Sequence, residues 1–142
     1  VLHWVNDPSA ALGSVARHLR PGGRFAAEFG GRENCNGLIA AIRAAHPDPP
    51  APPWWFPDEE ELSAVLAGAG LEVRAVTRFA RPPPLPDGPA AWVRAFAGWA
   101  LEGVEDEEAY LAAVEDAARS TLWDGSQWVG DYVRIRVRAT KP

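Results

Sequence analysis

The sequence of 142 residues has one cysteine, no long apolar run and no excess of basic charge. Because Cys35 is alone, a disulfide within the chain is excluded, and a reducing compartment, the cytoplasm, is expected. No apolar stretch approaches the roughly 20 residues that span a bilayer, so no membrane partner is expected. A net charge of −5 without a basic stripe argues against a nucleic-acid partner.

Tryptophan and proline are abundant, with seven and fourteen residues respectively. An indole combines a large apolar surface with one polar N–H group, so a tryptophan cluster indicates an amphipathic pocket, although single tryptophans also fill cores. Many of the prolines fall in two connectors, at 47–57 and 82–89. We interpret both connectors as rigid loops around a pocket; polyproline ligands for a protein partner are the alternative.

Helix and strand signals alternate along the chain. Asp7 and Pro8 predict a helix start, because aspartate caps helices and proline suits the first helical position. Asp58 with Glu61 predicts a capping box, and Gly70 predicts a left-handed helix end. Strands are predicted at 24–29, 71–79 and 129–139, and further helices at 34–45, about 89–102 and about 106–121. Strands separated by helices predict an α/β layer structure.

The histidines, carboxylates and single cysteine form no arrangement typical of nucleophilic or acid–base catalysis. His3, His18 and His46 are far apart and lack metal-ligand spacing, so no zinc site is expected. We assign no catalytic residue from the sequence.

Three motifs spread along the chain resemble those of one enzyme superfamily. They are Leu-His-Trp-Val-x-Asp-Pro at 2–8, Leu-Arg-Pro-Gly-Gly-Arg-Phe at 19–25 and Ala-Gly-Leu-Glu-Val at 69–73. Together they resemble the class I S-adenosylmethionine-dependent methyltransferases, over essentially the whole chain. The resemblance implies the C-terminal part of a Rossmann-like sheet, in which 24–29, 71–79 and 129–139 are strands 5, 6 and 7. Strand 7 would lie antiparallel between the other two.

Three weaker motifs resemble the trans-aconitate methyltransferase type within that superfamily. They are Ala-Glu-Phe-Gly-Gly at 27–31, Trp-Trp-Phe-Pro at 54–57 and Gly-Asp-Tyr-Val-Arg at 130–134. This likeness implies methyl transfer to a small-molecule acceptor, a carboxylic acid. A carboxylate nucleophile needs alignment and desolvation rather than a general base, which agrees with the missing catalytic patterns.

The resemblance also implies that strands 1 to 4 of the sheet are missing from residues 1–142, together with the glycine-rich loop and the acidic residue that bind the cofactor. Gly68-Ala-Gly70 is no substitute, because it follows a helix and precedes a strand. We therefore expect a fragment that starts at Val1 without an initiator methionine and holds the acceptor-side half of the domain, with a helical insertion at about 89–121. S-adenosylmethionine is expected as the cofactor of the full-length parent.

The resemblance and the strand ends indicate the candidate site residues. His3 and Trp4 lie where the loop after strand 4 would approach the donated methyl group, so they are the predicted cofactor-binding residues; for Trp4, a core position is the alternative. The predicted acceptor-binding residues are Glu28, Gly30, Asn34, Trp54, Trp55, Phe56, Tyr132 and Arg134. For Glu28 the alternative is a solvated strand position, and for Asn34 a helix cap, which we favour.

One aromatic pattern and one charged pattern are assigned to a structural role rather than to the site. Trp92, Phe96 and Trp99 share one helical face and are predicted to lie in the core. The stripe of Arg134, Arg136 and Arg138 predicts a solvated or helix-covered face, although a central strand is usually apolar on both sides.

Two further classes of function remain open. One is a non-catalytic binding module that has lost the cofactor half. The other is a self-associating fragment, because strand 5 would expose the edge on which strand 4 should pair, and such edges recruit other strands.

Overall fold

The computed structural model describes residues 1–46 and 48–142. The chain begins with a 3-10 turn at Leu2–Trp4. The elements that follow, in order, are α1 Pro8–His18, β1 Arg24–Gly30, α2 Asn36–Ala45, α3 Glu59–Gly68, β2 Glu72–Ala80, α4 Gly88–Phe96, a second 3-10 turn at Gly98–Leu101, α5 Glu107–Leu122 and β3 Val133–Thr140. Pro47, the first residue of the predicted connector 47–57, lies outside the described residues.

The helix ends follow local sequence rules. The carboxylate of Asp7 accepts the Ala10 N–H at 2.9 Å and caps α1. Asp58 and Glu61 form a reciprocal capping box at the start of α3. Gly70, with φ of +80°, occupies the left-handed conformation just after α3. All three predictions are confirmed.

The three strands form one sheet in the order β1-β3-β2, and both pairs are antiparallel. The predicted place of the last strand between the other two is confirmed. This strand begins at Val133 rather than at 129, because the preceding backbone bonds elsewhere. Val129 donates its N–H to the Leu122 carbonyl, and Gly130 donates to the Pro83 carbonyl.

The chain divides into two compact units. The sheet unit contains Val1–Asn34, Trp54–Ala80 and Val133–Pro142, and therefore all three strands with α1 and α3. One face of its sheet packs against both helices. The buried residues of this core are Leu12, Ala16, Phe29, Leu62, Leu66, Leu71, Ile135, Val137 and Ala139.

The helical unit contains Cys35–Pro53 and Arg81–Tyr132, and α5 packs against α2 and α4 within it. It includes the predicted helical insertion at about 89–121. The single helix predicted at about 89–102 is wrong, because Ala97 has φ of −123° and ψ of 39°, which interrupts the α-helix. The core prediction is also wrong for Phe96, which is 48% exposed in the last turn of α4, whereas Trp92 is buried.

No described helix combines the length and the apolar composition that a membrane span requires.

Candidate functional site

Six aromatic side chains of the sheet unit meet at the carboxyl end of β1. They are His3, Trp4, Phe29, Trp54, Trp55 and Phe56, and we call them the aromatic cluster. The His3 and Phe56 ring centroids are 5.5 Å apart, and those of Trp54 and Phe56 are 5.6 Å apart. At these separations, a pair of aromatic rings gains an attraction in addition to the burial of its apolar surface. The structure therefore brings five predicted site residues together with Phe29, a residue that the sequence did not single out.

Backbone hydrogen bonds hold the three segments of the aromatic cluster in place. Trp55 donates its N–H to the His3 carbonyl at 3.0 Å, which joins the connector to the first turn of the chain. Arg32 donates its N–H to the Pro57 carbonyl at 2.9 Å, which joins the same connector to the loop after β1. The capped start of α3 at Asp58 follows directly, so the last residues of the connector, from Trp55 onward, are held in place.

His3 links the first turn of the chain to the end of β1. Its Nδ1 accepts the Gly30 N–H at 3.2 Å, so the neutral ring carries its proton on Nε2. Burial, together with the positive charges of the Val1 amino group and Arg134, lowers the pKa of His3 to about 4. At neutral pH His3 is therefore an uncharged hydrogen-bond acceptor.

Gly30 is required by close packing rather than by its backbone angles. A Cβ at this position would lie 2.6 Å from the Phe56 ring and 3.0 Å from the amide nitrogen of Asn34. The Phe56 ring can therefore lie directly on the β1 backbone only because residue 30 has no side chain.

Asn34 connects the loop after β1 to the start of β3. Its side chain is 4% exposed, and its Oδ1 accepts the Val133 N–H at 3.0 Å. The prediction that Asn34 caps the following helix is wrong, since Cys35 occupies the cap position of α2. Glu33 and Cys35, on either side of Asn34, both have positive φ, at 73° and 61°. Such strained residues are uncommon outside glycine and concentrate at functional loops.

Asp131 is a structural residue that the sequence analysis missed. Within the helical unit, its Oδ2 accepts the Gly37 N–H in the first turn of α2. Burial raises the pKa of Asp131, against the opposing effect of the backbone N–H donors. The residue lies in the Gly-Asp-Tyr-Val-Arg motif, but its partner is 94 positions away in sequence, and no local pattern indicates that pairing.

The remaining predicted residues lie in other surroundings. Glu28 lies opposite Arg136 in the sheet and forms an ion pair with it at 2.7 Å. Arg134 lies opposite Gly30, half-buried at the end of the sheet that carries the aromatic cluster. Tyr132 belongs to the helical unit, where its hydroxyl accepts the Trp92 indole N–H at 2.7 Å.

The described residues contain no group of histidine, cysteine, aspartate and glutamate side chains that could hold a metal ion.

Comparison with known proteins gives relatives in sequence and in structure. No family model matches the chain. The chain is 30% identical over 161 aligned residues to C70.08c, an uncharacterized methyltransferase of Schizosaccharomyces pombe, and the match covers 99% of this chain but 59% of that protein. The chain thus spans well under two thirds of the length of this relative.

Two solved structures share the fold at low sequence identity. BH2331 from Bacillus halodurans C-125, which carries a provisional methyltransferase assignment, superposes with a TM-score of 0.57 at 14% identity, over all of this chain and 66% of its own. YcgJ from Bacillus subtilis superposes with a TM-score of 0.54 at 18% identity, over 99% of this chain and 60% of its own. The predicted α/β fold is confirmed: the sheet order and both superpositions agree with part of a Rossmann-like sheet.

Proposed function

We propose that these residues form the acceptor-side half of an S-adenosylmethionine-dependent methyltransferase of the trans-aconitate type. The full-length protein would transfer a methyl group to a small carboxylic acid. The observation that carries the proposal is the aromatic cluster at the carboxyl end of β1, because open α/β sheets bind ligands at that edge. The similarity to C70.08c supports methyl transfer as the reaction class.

The aromatic cluster supplies a wall rather than reactive groups. His3 and Phe29 are packed inside it, whereas Trp4 is 46% exposed and presents its ring to solvent. A wall of this kind orients an acceptor and removes water from its carboxylate. Removal of water strengthens the nucleophile, and no side chain has to move a proton.

Arg134 gives the same end of the sheet a positive charge. It lies opposite Gly30 in the register, and its charge acts on His3. A carboxylic acid acceptor carries the complementary charge at neutral pH. We therefore assign Arg134 to attraction of the acceptor and the aromatic cluster to its apolar part.

The residues of this chain do not fit S-adenosylmethionine as a complete site. Within the described residues, Gly68-Ala-Gly70 is a helix end rather than a strand-to-helix loop. The Nδ1 atom of His3 is already bonded to Gly30, so this chain could offer the cofactor the His3 Nε2–H and the exposed Trp4 ring. We assign the cofactor site to the rest of the parent protein, with His3 and Trp4 at its border.

A labelled-methyl assay tests this proposal. The full-length protein is incubated with methyl-labelled S-adenosylmethionine and a panel of small carboxylic, phenolic and amine acceptors. We expect label in a methyl ester. Chain 1–142 alone is the control, and we expect neither transfer nor a thermal shift with S-adenosylmethionine.

Three different results would each contradict one part of the proposal. Label found only in a phenol or an amine would overturn the carboxylic acid acceptor. Transfer to no acceptor would overturn methyl transfer itself. Stoichiometric binding of S-adenosylmethionine by chain 1–142 would overturn the assignment of the cofactor site to the rest of the parent protein.

A further inference from the structure

The sheet face opposite the core carries the arginine stripe of β3. Ile135, Val137 and Ala139 point into the core, so the alternate residues Arg136 and Arg138 lie on the other face. The methyl-transfer proposal gives these two arginines no role. Their surroundings differ, although they are two residues apart on one strand.

Arg136 is neutralised and fixed by its neighbours. Its Nε and Nη2 atoms both donate to Oε2 of Glu28, at 2.9 and 2.7 Å. Its guanidinium also lies 5.0 Å from the centre of the Phe79 ring, within the range of a cation–π contact. These contacts leave Arg136 little capacity to bind an additional anion.

Arg138 lies between two alanines, so neither residue directly opposite it carries a carboxylate. Its register partners are Ala26 on β1 and Ala75 on β2, and their small side chains leave space on both sides. Within residues 1–46 and 48–142, no ion pair joins Arg138 or the nearby Arg24 to a carboxylate. Two positive charges therefore stay uncompensated on a chain whose net charge is −5.

A cavity of about 400 Å³ lies beside these two arginines. Arg24, Arg74 and Arg138 line it together with Thr140. Arg74 projects at the β-bulge between Val73 and Ala75, and its Nε donates to the Thr140 hydroxyl at 2.8 Å. The Thr140 oxygen accepts this bond, so its own proton remains available to an acceptor in the cavity.

We propose that this cavity is a binding site for a phosphate group, separate from the aromatic cluster. Guanidinium groups present paired N–H donors that match phosphate oxygens, and such charge-assisted bonds are among the strongest in proteins. A phosphate group carries close to two negative charges at neutral pH, which matches the two uncompensated arginines. The volume also admits a group larger than one phosphate, so diphosphates belong to the same ligand class.

Titration of chain 1–142 with inorganic phosphate and with pyrophosphate, followed by amide NMR, tests the site. We expect saturable shifts at Ala26 and Thr140 that sodium chloride at equal ionic strength does not reproduce. If pyrophosphate binds more tightly than inorganic phosphate, the site takes diphosphate ligands. If the two affinities are equal, the site takes a single phosphate group.

Matched variants distinguish a specific phosphate site from nonspecific attraction of phosphate to positive charge. Arg138→Gln should weaken phosphate binding by about tenfold, the loss expected for one charge-assisted contact. Arg136→Gln removes the same charge from the same strand and should change affinity by less than about twofold, since Arg136 is already paired. Arg24→Gln repeats the test if Arg138→Gln does not fold. Equal weakening by the Arg136 and Arg138 variants, or shifts that chloride reproduces, would overturn the proposal.

Discussion

The aromatic residues of the two units are organised differently. In the helical unit, Trp92 and Trp128 have evident structural partners: the Trp92 indole donates to Tyr132, and Arg119 lies 5.1 Å from the centre of the Trp128 ring. In the sheet unit the aromatic cluster brings together rings from three separate segments of the chain. All of these segments converge on the last two residues of one strand, Phe29 and Gly30.

This difference distinguishes tryptophans that stabilise the fold from tryptophans that are candidates for binding a ligand. A pair with a hydrogen bond or a cation–π partner is explained by packing alone. A convergent cluster with one ring half exposed, at the edge of a sheet where ligands bind, requires a further reason. Tryptophan content by itself did not distinguish these two groups.

The largest effect is expected from Gly30, where a side chain would enter the aromatic cluster. Gly30→Ala should lower the free energy of unfolding by about 1–3 kcal/mol, because the Phe56 ring has to move from its packed position. Gly98→Ala in the helical unit is the matched control, since nothing lies within 4 Å of a Cβ there. Its effect should stay within about 0.5 kcal/mol. Urea unfolding of chain 1–142 measures both.

Equal stability of these two variants would contradict the close packing of Phe56 on the β1 backbone. A higher free energy of unfolding in Gly30→Ala than in the unchanged chain would also contradict this close packing.

A pH-dependent effect is expected from protonation of His3. Its pKa of about 4 lies below the value near 6.5 of an unfolded chain, so between these values the unfolded state binds more protons. The free energy of unfolding should therefore fall as the pH is lowered from about 6.5 to 4. NMR titration of the His3 ring gives the pKa directly, and the Gly30 amide shift should follow the same curve.

His3→Gln should reduce this pH dependence, whereas His18→Gln, at the exposed end of α1, should retain it. A His3 midpoint near 6.5, or a Gly30 amide that does not respond, would show that His3 does not form the buried link between the first turn and β1.

Local sequence rules predicted a large part of the sheet unit. The caps of α1 and α3 depend on residues three positions apart, and β3 follows an alternating apolar pattern. The sheet order came from the resemblance rather than from periodicity. The break at Ala97 was missed, because the apolar spacing of 89–102 continues through it.

The site was only partly predictable, because its decisive contacts join residues far apart in sequence. Asn34 bonds to Val133 across 99 positions, and Glu28 pairs with Arg136 across 108. An asparagine before a helix indicates a cap on local grounds, and only the fold shows that its oxygen bonds to β3. The need for glycine at position 30 likewise depends on Phe56, which a connector brings back onto β1.

The role of the aromatic cluster is tested most directly by steady-state kinetics of the full-length protein with the acceptor found in the labelled-methyl assay. Trp54→Ala removes a ring of the cluster that is a predicted acceptor-binding residue, and Trp123→Ala removes an indole of the helical unit that is 37% exposed. We expect Trp54→Ala to raise the KM for the acceptor about tenfold, the loss of one aromatic contact, and Trp123→Ala to change it less than about twofold. Equal KM values in the two variants would contradict an acceptor-binding role for the aromatic cluster.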